Sequence, residues 1–113
     1  MAKADRLERL DLRRAELEAD YLEALVAALQ RAAAGSWGLF AHNQDRAASA
    51  RWAPTVTALC DMGQEINDMR AGLSMEPLAL HEEFEAARGP VSASAPGEPK
   101  QAAAWLKRLG RSL

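Results

Sequence analysis

The sequence predicts an all-α fold: a small helical bundle with a long N-terminal helix, a second long helix and two shorter helices. Three observations carry this. Alanine, the strongest helix former, supplies 25 of the 113 residues. The β-branched residues number one Ile, three Val and two Thr, too few to furnish a sheet. And from Asp5 to Ala34 the chain contains neither Gly nor Pro. Leu, Ile, Val and Phe together count 21, and the net charge is −2. A chain so nearly neutral folds, and alanine lets its helices approach closely. At this length residues 1–113 form a single helical domain.

The first helix is expected over residues 5–34. Leu7, Leu10, Leu17, Tyr21, Ala24 and Ala28 recur at steps of three and four, and Leu22, Leu25, Val26, Leu29 and Ala33 widen the apolar face in the second half. Asp5 and Glu8 stand at capping-box spacing, and Asp5–Arg9 and Arg14–Glu18 are i,i+4 pairs. Gly35 is placed to close the helix in a left-handed conformation. Residues 35–45 then form an aromatic corner. Asp45 is expected to cap a short helix over 46–52, and Pro54, which disfavours helical angles at Ala53, is expected to break the chain there and open the next helix over 54–72.

In that helix Val56, Leu59, Met62, Ile66, Met69 and Leu73 repeat at helical steps, with Gly63 beside them offering room for a neighbour. Gly72 is expected to end it, with Leu73 folding back on the last turn. Pro77 is expected at the first position of a third helix over 77–88, stopped by Gly89-Pro90. The segment "VSASAPGEP" reads as an irregular connection. Pro99 opens a last helix over 99–109, with Ala102, Trp105, Leu106 and Leu109 facing inward.

The longest apolar run, Ala24 to Leu29, is far short of a membrane span, so no membrane partner is expected. The charged start "MAKADRLERLDLRR" lacks the apolar centre of a signal peptide, and Cys60 has no partner for an internal disulfide. Both point to a cytoplasmic setting. The phosphate-cradle, dinucleotide-binding and nucleophile-elbow motifs are absent from the sequence, and no catalytic residue and no cofactor is assigned.

His81 and Glu85 are one helical turn apart, but a metalloprotease helix needs a second His where Glu85 stands. No metal ligand is assigned, and the third reading of function, a small metal- or ligand-binding enzyme, centres on His42, His81 and Glu85. The corner residues Trp37, Phe40 and Trp52 serve either to plug the bundle end or as an exposed hot spot. Lys100, Lys107, Arg108 and Arg111 make the C-terminal end basic, which supports a second reading, a nucleic-acid-associated regulator. The arginines of the first helix alternate with acids and create no such field.

The first reading follows from length. Thirty helical residues span about 45 Å, against a diameter of about 35 Å for a compact domain of this size. The overrunning half carries leucines, each of which forgoes roughly 1.5–3 kcal/mol of burial if left bare. The expectation is a non-enzymatic protein-interaction or assembly module that pairs with itself through Leu7, Leu10, Leu17 and Tyr21, most simply as a homodimer.

Overall fold

Long helices that share an alanine-rich face must pack along it, and the molecule is built from two such helices with two shorter ones laid against them. The computed structural model describes residues 2–40, 46–88 and 97–112. Among them the chain forms α1 (Ala2–Ala33), α2 (Arg46–Gly72), α3 (Ala79–Ala87) and α4 (Glu98–Arg108), and no strand. The fold is all-α, as the composition predicts. None of these helices is long and apolar enough to cross a membrane.

The first helix is unbroken for 32 residues and begins earlier than the capping box implies. Asp5 lies within its first turn, where its charge complements the helix dipole, and does not cap it. Arg9 Nε donates to the Asp5 carbonyl at 3.4 Å, whereas Arg14 and Glu18 do form the expected ion pair, at 2.6 Å. Gly35 closes α1 at φ +113°, with Gly35 N–H donating to the Ala32 carbonyl and Ser36 N–H to that of Arg31.

The expected break at Pro54 does not occur: α2 runs through it as one helix of 27 residues. Pro54 and Ala50, whose carbonyl loses its helical donor, are both exposed, so water can replace the missing bond. On the opposite face Ala48, Trp52 and Leu59 are buried on either side of the proline and hold the axis together. The helix ends at Gly72, as expected, but its closing turn differs. The left-handed residue is Ser74, at φ 58°, not Gly72. Met75 N–H donates to the Arg70 carbonyl and Ser74 N–H to that of Ala71, which completes the closing motif two residues later.

The third helix starts at Ala79 rather than Pro77. Leu78 is its extended N-cap, and Asn67 Oδ1 of α2 accepts the Leu78 N–H at 2.9 Å.

The helices α1 and α2 are antiparallel: Arg31 lies over Trp52 near one end, Arg70 meets Glu18, and Leu10 touches Gly72 at the other. The C-terminal part of α1 also packs against α4, and the chain after α4 lays Arg111 on Glu23 and the Ser112 carbonyl on Gln30. The core is accordingly off-centre. Tyr21, Leu25, Leu29, Phe40, Trp52 and Leu106 are fully buried, but no described residue of α1 before Tyr21 is. The longest axis is 54 Å and the radius of gyration 15.9 Å, against about 13 Å for a compact domain of this length. The overrun expected from helix length is present.

Close approach of α3 to α2 depends on Gly63. A Cβ there would overlap the His81 ring, whereas a Cβ on Gly72 would stand 3.4 Å from Leu10 Cδ2, an ordinary contact. The same exchange in one helix therefore has opposite consequences. Gly63→Ala lowers the unfolding free energy by about 1–3 kcal/mol through overpacking. Gly72→Ala leaves it level or raises it by up to about 1 kcal/mol through helix propensity. Urea denaturation of the two variants reads both signs.

Candidate functional site

Helical spacing puts Tyr21 on the inner face of α1 and His81 on the inner face of α3, and the space above Gly63 brings them together. Tyr21 Oη lies 2.8 Å from His81 Nδ1, with the rings edge to face at 5.4 Å between centroids. His81 Nε2 lies 3.0 Å from Glu85 Oε1, one turn along α3. A carboxylate only accepts, so Nε2 donates to Glu85; in a neutral imidazole Nδ1 is then the acceptor for the Tyr21 hydroxyl. The chain runs from a tyrosine with no exposure, through an imidazole 3 % exposed, to a carboxylate at the surface.

Cys60 of α2 stands near the inner end of this chain. Burial pushes its thiol pKa up, the charge of Arg88 opposes that rise, and Glu85 and Asp61 add to it. Burial likewise raises the Tyr21 phenol above its ordinary value of 10.0, with further contributions from Cys60 and Glu85. Chemically this is a closed arrangement. Both imidazole nitrogens are engaged, so neither lone pair faces a metal, and the hydroxyl is sealed in the core. His42, which sequence groups with His81 and Glu85, lies outside the described residues. Among the described residues no group of three or more His, Cys, Asp or Glu is placed to hold a metal ion.

The corner is organised by a residue that sequence did not single out. Glu98, the first residue of α4, has no solvent exposure. Its Oε2 accepts the Gly38 N–H at 2.6 Å and its Oε1 the Phe40 N–H at 2.8 Å. Gly38 adopts φ +127°, and a side chain there would run into Trp52 and the Ala48 carbonyl. Phe40 and Trp52 are fully buried, so they belong to the core and cannot be an exposed hot spot. Trp37 is half-buried and lies against Gly97. The Trp52 indole N–H has no acceptor among the described residues, while the Arg31 guanidinium covers its ring at 4.3 Å. The only sequence signal for Glu98 is an acid in the first turn of a helix, which says nothing of what it binds sixty residues away.

No family model matches the chain, and neither a characterised protein nor a solved structure matches it. The remaining sequence-selected residues are therefore weighed on geometry alone.

Of the N-terminal set, Leu7 is 40 % exposed, Leu10 and Leu17 are half-buried, and Tyr21 is wholly inside the subunit and unavailable to a partner. Leu12, on another face of α1, is 63 % exposed. Of the C-terminal set, Arg108 pairs with Glu83 at 2.9 Å and covers the Trp105 ring, and Arg111 pairs with Glu23 at 2.9 Å. Lys100 and Lys107 are exposed. Among the described residues two of the four are therefore ion-paired and two are not.

Two outcomes test these contacts. The fold favours the protonated phenol, so this group contributes its full stability below pH 10.0, and that contribution is lost as pH rises above it. Tyr21 is the only tyrosine, so alkaline titration should show tyrosinate absorbance appearing together with the loss of helical circular dichroism rather than before it. Glu98→Gln places an NH₂ donor against one of the two backbone donors. It should lower the unfolding free energy by about 2–4 kcal/mol in urea, more than an exposed Glu→Gln such as Glu83→Gln.

Proposed function

We propose that this chain is a non-enzymatic interaction module that associates with a second copy of itself through the projecting first turns of α1. One observation carries the reading. The apolar stripe that α1 turns toward α2 continues past the place where α2 ends: Leu10 meets Gly72, the last residue of α2, and Leu7 lies one turn farther out with 40 % of its surface in water. Asp5, Glu8 and Asp11 alternate there with Arg6, Arg9 and Arg13, so the segment carries both signs of charge and is compatible with its own copy. The sealed Tyr21–His81–Glu85 chain supports a structural role for those residues, because a substrate has no route to the hydroxyl or the imidazole.

Light scattering at micromolar concentration should give a mass above the 12.3 kDa of one chain. Leu7→Glu, at an exposed position that the fold does not need, should return it to that value with unchanged circular dichroism. A single-chain mass for the unaltered protein at high concentration defeats the proposal.

A further inference from the structure

The fold separates charge along the bundle in a way that the linear sequence does not display. Between Ala24 and Cys60 the chain carries three arginines (Arg31, Arg46 and Arg51) and a single acid, Asp45. Residues 61–85 carry seven acids and one arginine. Because α1 and α2 are antiparallel, the C-terminal part of α1 and the N-terminal part of α2 share the corner end of the molecule. The N-terminus of α4 joins them through Glu98 and brings Lys100 to the same end. Arg31, Arg46, Arg51 and Lys100 are all exposed, and none forms an ion pair with another described residue. Glu98, the acid nearest to them on α4, is spent inside the corner on backbone N–H groups. The C-terminal arginines, by contrast, are neutralised by Glu83 and Glu23.

We infer that the corner end is a docking surface for the phosphate backbone of a nucleic acid. Three of the four cations are arginines, whose planar fork matches phosphate oxygens. Of the aromatic residues at this end Phe40 and Trp52 are buried, the latter beneath Arg31, and Trp37 is half-buried against Gly97, so none stands out as the exposed anchor on which protein interface centres ordinarily rely. Among the described residues the two exposed large apolar side chains, Leu7 and Leu12, lie at the other end of α1, so this surface offers little to insert into a lipid layer. Charge with little exposed apolar surface suits a ligand that is itself a regular array of phosphates, bound without regard to sequence. This surface is separate from the association surface proposed above and does not depend on it.

Fluorescence anisotropy with a labelled mixed-sequence single-stranded DNA tests it. Binding should be measurable at low salt. The logarithm of the association constant should fall against the logarithm of salt with a slope of about −2 to −3, three or four phosphates at roughly 0.7 each on a single strand. Arg46→Glu together with Arg51→Glu should weaken binding by roughly tenfold or more and flatten the slope, with helical circular dichroism unchanged. Lys107→Glu should leave both as they were. No binding by the unaltered protein at low salt overturns the inference. So does binding that the Arg46/Arg51 reversal leaves intact, or tighter binding to polyglutamate of equal charge, which would make an acidic protein the partner.

Discussion

A carboxylate shut away from water holds this molecule's corner in place. Glu98 offers both its oxygens to the backbone N–H groups of Gly38 and Phe40, and so fastens the start of α4 to the chain as it leaves α1. Burying a charge costs far more than burying a neutral group unless donors are fixed around it. The corner supplies them through a backbone that only glycine can follow at position 38, where φ is +127°. With the corner set, Phe40 turns inward to meet Phe84 and Trp105, with ring centroids at 6.3 and 6.2 Å, and α3 and α4 acquire a common core with α1. The placement of the basic residues at that end depends on the same joint.

What could be read in advance follows from the range over which each signal acts. The apolar steps of α1 and α2 and the Gly35 stop are local, and they give the element types and most of their order. Pro54 misled because its cost is local while the compensation is not: the buried Trp52 and Leu59 belong to the packed state, and the sequence around the proline does not display it. Ser74 is a similar case. Gly72 is the better residue for a left-handed turn, yet the chain takes that turn at a serine, two residues beyond the glycine that Leu10 contacts.

The candidate sites divide along the same line. The spacing of His81 and Glu85 was visible, but Tyr21, sixty residues away, decides what His81 does, and nothing local links them. Gly63 was legible as a place for close approach; that an imidazole fills it was not. Tyr21 belongs to the same apolar stripe as the leucines, yet it is buried within the subunit, where the bond to His81 offsets the cost of desolvating its hydroxyl. For the basic residues the sequence emphasised the cluster at the C-terminal end. Folding pairs two of that cluster with acids and leaves Arg31, Arg46, Arg51 and Lys100 without an ion pair to another described residue, because charge balance is a property of neighbours in space.

One further consequence lies in where the large chromophores sit. Trp37, Trp52 and Trp105 belong to the corner and the core around it, and the first twenty residues contain no aromatic side chain at all. Intrinsic fluorescence therefore watches one half of the molecule. The outer turns of α1 can unwind and re-form without altering the emission, and a melting curve recorded that way describes the core alone.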